Sequence, residues 1–531
     1  MSSLGFNTGY IEELYNQYLD DPDSVSESWR EFFADYNPDA SFVPATQQTT
    51  GDGEATTPPT EPAEPPSPEA REAPPEPTPS PSPEKEDGVV EPLRPASAPA
   101  VDEETAEVHA MRGPSAKIVE NMEDSLGIPT ATSARTMPVK LLDENRTLLN
   151  DYQKQVGGEK VSYTHLIAFA MVQGLQKYSD MNTTFRRNEE GTPEHVVPGQ
   201  INLGLAIDVE RRGKRTLLVP NIKDAGSYNF AEFLGIYNDL IVRAQNNNLD
   251  LSDFQGTTAT LTNPGMIGTS MSVARLMPGQ GVIMGAGAIG YPPEYRGYDP
   301  EVASKAGVSP VMTLTSTYDH RVIQGATSGA FLNYIEELLM GDHDFYHNLF
   351  EDLGVPYQPF QMATDSTPQL GQPEPQEELD QTEKQAAVLQ LIRAYRVRGH
   401  LQADTNPLGY EWEYHSELDP ASYGLTIWDL DREFITGGLG GEEKLPLREI
   451  LSILRKAYTN KVGTAFMHIS DPQEKRWIQN RIEPMRDAEP PSEDDRHRIV
   501  QKLNAAEAFE RFLHTKYIGH KRFSLEGAET M

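Results

Sequence analysis

The stretch Thr317-Tyr318-Asp319-His320-Arg321-Val322-Ile323-Gln324-Gly325 sets an imidazole between a carboxylate and a guanidinium. Val311, Leu314 and Tyr318 make the preceding run β-prone, and a helical pattern opens at Gly325-Ala326, so the histidine falls at a strand end. An imidazole delivered there can serve as a general base with a fixed tautomer, because its ordinary pKa lies near neutrality. A lone histidine of this kind is as readily a core residue satisfied by its neighbours. The rest of the chain decides between the two.

Two further segments bear on it. Thr260-Leu261-Thr262-Asn263-Pro264-Gly265 and Gly281-Val282-Ile283-Met284-Gly285-Ala286-Gly287-Ala288-Ile289 are apolar strands running into glycine-rich turns. Upstream, Ile201 to Ile222 contains Asp208, Val219 and Pro220, and Glu210-Arg211-Arg212-Gly213-Lys214 supplies a hairpin turn within it. In this order the segments resemble the acyltransferase component of 2-oxo acid dehydrogenase complexes, over roughly residues 110 to 350, with Asp319-His320-Arg321…Gly325 as its signature. The family usually carries Asp where this chain has Gln324. The subset joined to a 2-oxoglutarate dehydrogenase is similar in carrying Gln there.

The resemblance implies a chloramphenicol acetyltransferase-like fold, built as trimers with each active site shared between two subunits. It implies transfer of a succinyl group from the thiol of a dihydrolipoyl arm to coenzyme A. A thiol is mostly protonated near neutral pH, so such a reaction needs a base, and His320 is the candidate. Thr262 matches the family's hydroxyl donor to the oxyanion of the tetrahedral intermediate, although a threonine in a strand is ordinarily there for its β-propensity. Asp319 and Arg321 are expected to fix the loop by ion pairing. Gln324 can orient a neighbour by hydrogen bonds but cannot offset an imidazolium's charge.

Composition narrows the alternatives. Cysteine is absent, which removes disulfides, thiolate catalysis and cysteine-ligated metal. No stretch of about 18 apolar residues exists, so no membrane span is expected, and the N-terminus lacks a secretory pattern. A cytoplasmic location is the expectation. The net charge of −36 argues against nucleic-acid binding, which needs basic patches. Residues 37–105 hold four Asp and eleven Glu against three Lys or Arg, a local −12 that leaves −24 on the remainder. That acidity suits a high-salt cytoplasm, where screening weakens self-repulsion. The melting temperature should therefore rise between low and molar salt; a flat or falling response in a thermal melt would remove the idea.

The expected organisation has five parts. Residues 1–36 form a helical arm whose Tyr10, Leu14, Tyr15, Tyr18, Trp29, Phe32 and Phe33 must dock on a partner or on this chain. Residues 37–105 are a disordered Pro/Glu-rich linker, and its Gly51-Asp52-Gly53 lacks the flanking strand and helix of a thiamine diphosphate motif. Residues 106–355 read as α/β, a mixed sheet with helices on one side. Strands are expected near 130–136, 201–209, 216–222, 257–263, 281–289 and 308–318, and helices near 114–125, 140–155, 163–178 and 228–247. A second linker spans 356–381, and residues 382–531 are mostly α-helical.

The arm and the last part resemble the 2-oxoglutarate dehydrogenase component, the latter through Ala394-Tyr395-Arg396-Val397-Arg398-Gly399-His400-Leu401 and Asn406-Pro407-Leu408. The string from Tyr517 to Glu529 matches the opening of that component's thiamine-binding domain, which implies truncation before it. There the resemblance implies that His520 lies near the carboxylates of 2-oxoglutarate, with thiamine diphosphate and Mg2+ required only alongside the downstream domain. Nothing before residue 106 resembles a lipoyl domain, so the lipoyl group is expected in trans. The implied partners are a lipoyl-bearing acyltransferase, dihydrolipoamide dehydrogenase and further copies of the chain, as a homo-trimer or higher. Rival readings are a non-catalytic trimeric scaffold and an acyltransferase for another acyl group. His343, Asp344 and His347 have a spacing that suggests metal ligands, but they read as a turn entering a helix with no third ligand. His165 reads as a buried helical histidine.

Overall fold

The computed structural model describes residues 122–211, 214–363, 375–406, 414–484 and 492–517, with residues 17–19, 25, 30, 33 and 119. The acidic linker expected at 37–105 and the candidate His520 lie outside the described residues. Of the aromatic arm, Val25 and Phe33 are buried within the main apolar cluster, and the Tyr18 and Phe33 rings lie 5.6 Å apart. These side chains pack on this chain.

The strands are β1 (Thr130–Pro138), β2 (Thr184–Arg187), β3 (Pro193–Val196), β4 (Leu203–Leu205), β5 (Ile207–Arg211), β6 (Lys214–Leu218) and β7 (Asn221–Ile222). They continue with β8 (Ala259–Thr262), β9 (Val282–Ala286), β10 (Val311–Asp319), β11 (Glu433–Ile435) and β12 (Lys444–Pro446). The helices are α1 (Lys140–Val156), α2 (Tyr163–Lys177), α3 (Phe230–Gln245), α4 (Pro300–Lys305) and α5 (Gly325–Leu339). After them come α6 (Phe345–Asp352), α7 (Pro375–Arg398), α8 (Leu447–Tyr458), α9 (Pro472–Ile482) and α10 (Glu493–Lys516).

A six-stranded mixed sheet in the order β1-β10-β9-β8-β4-β7 carries the site. β10 runs antiparallel to both β1 and β9, whereas β9, β8 and β4 run parallel. The period of two sorts its residues onto two faces. Met312, Leu314, Tyr318, Val282, Met284 and Ala286 enter the main core, where Ser316 meets Ser328 of α5 at 3.0 Å. α2 presses on α5 so closely that a Cβ on Gly174 would stand 2.9 Å from the Phe331 ring. The opposite face is a row of threonines, with Thr132 and Thr317 hydroxyls 2.8 Å apart and Thr136 and Thr313 hydroxyls likewise 2.8 Å apart. Ile283 turns to that face and packs with Ile128 and Leu276.

Helix α2 starts on a capping box. Ser162 Oγ accepts from the His165 amide, and the His165 ring Nδ1 accepts from the Ser162 amide, each at 3.2 Å. The ring is buried against Tyr237, 4.3 Å between centroids, and burial lowers its pKa to about 4. The folded value lies below the unfolded one, so its contribution is complete above pH 6.5 and is lost as pH falls toward 4. A loss of roughly 2–4 kcal/mol is expected across that window. His165→Gln keeps a capping acceptor and should flatten the limb; melts of both proteins at pH 7 and pH 4.5 check this.

The chain departs from the expected second linker at 356–381. Tyr357 is buried, Asn145 and the Phe360 backbone exchange hydrogen bonds of 2.8 and 3.1 Å, and Trp428 Nε1 donates to Ala363 O at 2.7 Å. Residues 355–363 thus belong to the packed body. Beyond them α8 packs against α7 and docks on α1 through ionic contacts. Arg448 of α8 grips Glu144 of α1 at 2.5 and 2.8 Å, and Asp431 meets Lys140 at 3.0 Å and Arg448 at 2.8 Å. Ser304 of α4 also donates to Asp431.

Candidate functional site

β10 ends at Asp319, and its register with β1 carries the ladder to Thr130↔Asp319. His320 follows on an exposed turn, its amide donating to Pro129 O at 2.9 Å. The imidazole leans on the Tyr318 ring, 5.5 Å between centroids, and among the described residues it makes no hydrogen bond. The flanking charges do not hold it. Asp319 is 2 % exposed, and its carboxylate accepts from the Arg321 amide at 3.0 Å, from Nε at 2.9 and 3.1 Å, and from Nη2 at 2.6 Å. Asp319 and Arg321 therefore neutralise each other and brace the turn. A tautomer fixed by Asp319, the idea prompted by the linear order of residues, is absent here because the guanidinium takes both carboxylate oxygens.

Gln324 stands in the N-cap position of α5 with extended backbone, φ −91° and ψ 150°, and an exposed side chain that caps nothing. Its carbonyl accepts from the Ser328 amide at 3.1 Å. An amide there can rotate toward an incoming group without cost to the helix.

Thr262 closes β8, partly exposed, with no hydrogen bond to its hydroxyl among the described residues. Asn263 Nδ2 donates to Thr164 Oγ1 at 2.8 Å and anchors the strand end to α2. The following turn lies backbone against backbone on the end of β9: a Cβ on Gly265 would stand 2.4 Å from the Gly287 carbonyl. That contact requires the glycines of the two segments singled out in the sequence. Met266 and Ile267 project into solvent beside Thr262, 81 % and 70 % exposed.

One chain does not bring His320 and Thr262 together. Thr262 is level with Gly285, and Gly285 with Thr315, whereas His320 lies five residues beyond Thr315 and two strands away. At about 3.3 Å per residue and about 4.8 Å per strand, the separation is roughly 19 Å. Each end of the sheet thus offers half of the expected chemistry. His343 and Asp344 both have positive φ, 59° and 55°, and His343 pairs with Glu337 at 3.0 Å. Among the described residues no group of three or more His, Asp or Glu is placed to hold a metal ion. Phe185, which stacks on Arg321 at 3.9 Å, was not legible: its strand is four residues long and mostly polar.

Residues 103–344 match the model of the 2-oxoacid dehydrogenases acyltransferase catalytic domain, and residues 4–40 that of the 2-oxoglutarate dehydrogenase N-terminus. Over its whole length the chain is 44% identical to the multifunctional 2-oxoglutarate metabolism enzyme of Mycolicibacterium vanbaalenii, covering 42% of that protein. It is 43% identical to the 2-oxoglutarate dehydrogenase E1/E2 component of Corynebacterium glutamicum, again all of this chain and 42% of the relative. The chain thus spans less than half the length of these relatives. Among solved structures, a truncated catalytic core of the 2-oxoacid dehydrogenase multienzyme complex from Thermoplasma acidophilum is 23% identical, with 44% of this chain and 98% of that one covered at a TM-score of 0.37.

Proposed function

We propose, from the match of residues 103–344 to the acyltransferase catalytic domain of the 2-oxoacid dehydrogenases, that the chain moves a succinyl group from a dihydrolipoyl thiol to coenzyme A. The choice of succinyl follows from relatives named for 2-oxoglutarate, whose oxidative decarboxylation leaves a succinyl group. His320 takes the proton from the coenzyme A thiol as sulfur attacks the thioester carbonyl. Thr262 of a second copy donates its hydroxyl to the oxyanion. The intermediate collapses, the dihydrolipoyl thiolate leaves, and the imidazolium returns the proton to it. Homo-trimers or larger closed assemblies supply the shared site.

The observation that carries this reading is the exposed imidazole of His320, unpaired among the described residues, on a turn whose other charges are already satisfied. Such a ring is free to accept a proton, and its backbone is held. The lipoyl arm comes from a separate lipoyl-bearing acyltransferase, and dihydrolipoamide dehydrogenase reoxidises it. Thiamine diphosphate and Mg2+ belong to the decarboxylation of 2-oxoglutarate and take no part in this step. Cytoplasm is the compartment where these substrates meet. Among the described residues no helix is long and apolar enough to cross a membrane.

Thr262→Val keeps the shape and removes the donor. Coenzyme A-dependent transfer from synthetic succinyl-dihydrolipoamide should fall about a hundredfold in kcat, with the KM for coenzyme A within a few-fold. Unchanged kcat would favour a scaffold role for the domain. Faster transfer of a different acyl group by the unmodified protein would replace succinyl as the substrate.

A further inference from the structure

The turn bearing His320 is clamped from outside the signature. Phe185, half-buried on β2, sits under the Arg321 guanidinium with 3.9 Å from Cζ to the ring centroid. A cation over a ring face at that distance is attracted electrostatically. The same hairpin reaches the turn a second way. A Cβ on Gly281 would stand 2.2 Å from Thr183 O, and Gly281 O accepts from the Asp319 amide at 3.2 Å. Residues 183–185 therefore press on both members of the Asp319–Arg321 pair, one through its side chain and one through its backbone neighbour.

We propose that Phe185 is a positioning residue: it holds Arg321 flat, Arg321 locks Asp319, and the lock fixes the backbone from which His320 projects. The proposal rests on His320 being the base. Without the ring, one face of the guanidinium loses its support, and the side chain, 30 % exposed, tilts on Asp319 toward solvent. The turn then samples orientations in which the imidazole misses the thiol, and a displacement of about 1 Å is enough to slow such a reaction substantially.

The test uses the assembled full chain with Phe185→Leu, Phe185→Tyr, Arg321→Lys and the Phe185→Leu/Arg321→Lys double variant. Leucine keeps apolar bulk and loses the ring face; tyrosine keeps the face; lysine loses the planar fork. Phe185→Leu should lower kcat for succinyl transfer about tenfold, with the KM for coenzyme A within twofold. Phe185→Tyr should remain within twofold of the parent. The double variant should be no slower than the slower single one, because both act through one chain of contacts. Unchanged kcat in Phe185→Leu, an equal loss in Phe185→Tyr, or strictly additive losses would overturn the proposal. If His320→Ala retains full activity, the reading of the base fails, a result distinguishable from any of these.

Discussion

His320→Ala is expected to lower coenzyme A-dependent succinyl transfer roughly a thousandfold while leaving the thermal melt almost unchanged. General base catalysis typically contributes about 10²–10⁴ in rate, and no second imidazole stands within the signature to replace it. The melt should hold because the ring is exposed and makes no hydrogen bond among the described residues, and the turn is braced by Asp319 and Arg321 without it. The dependence on pH adds a second readout. On the proposed reading the imidazole accepts the thiol proton, so the parent's kcat/KM should decline toward acid pH, and the residual rate of the variant should lose that limb. Steady-state assays across pH, with calorimetric melts alongside, check both parts. A variant with undiminished transfer would leave the acyltransferase domain without its base.

The second large effect concerns stability. Glu144→Ala should destabilise the protein by about 3–5 kcal/mol, the usual cost of breaking a buried pair from one side. Glu144 has 4% side-chain exposure and is shared by Arg448 and Lys140, the latter only 7% exposed. Removing it leaves Lys140 with Asp431 and the Ser304 hydroxyl, and strips Arg448 of its two-pronged partner. Urea midpoints should drop, and amide exchange should accelerate first in α1 and α8, the two helices that meet there. Loss confined to either helix alone would argue that they are not coupled.

Acid should weaken the same junction in a lower window than His165. Burial alone would raise the Asp431 carboxyl, but hydrogen bonds from Ser304 and Arg448 and the charges of Lys140 and Arg448 outweigh it, so its pKa is lowered. A depressed folded value means the contribution is present above the ordinary carboxylate range and disappears as pH falls below about 4.

Much of the sheet was legible because its strands announce themselves. Val311–Asp319 and Val282–Ala286 are apolar or threonine-rich runs bounded by Gly and Pro, and long helices such as Tyr163–Lys177 begin on a recognisable cap. The β2–β3 hairpin was missed because Thr184–Arg187 and Pro193–Val196 are short, polar and flanked by loop-like residues. Tyr357 and Phe360 were read as linker, since two aromatics in a Pro- and Gln-rich stretch carry no periodicity. Glu144 and Arg448 lie 304 positions apart, so no local pattern marks their pairing. In the site, His320 stands out by its type and its place at a strand end, and the roles of His320 and Thr262 follow from the resemblance to the acyltransferase family. The ion pair of Asp319 with Arg321 is likewise an expectation of the sequence; that the guanidinium takes both carboxylate oxygens and leaves the imidazole outside depends on rotamers that a linear order does not encode.

The separation of His320 and Thr262 within one chain makes assembly the decisive matter. Complementation measures it directly. His320→Ala and Thr262→Val proteins, each nearly inactive alone, are mixed, dissociated and reassembled. In a closed ring of identical interfaces, about one quarter of the junctions then combine an intact histidine with an intact threonine from different copies. Recovery of succinyl transfer toward about a quarter of the parent's rate is the result this account predicts. Verified mixed assemblies that stay as inactive as their components would contradict it.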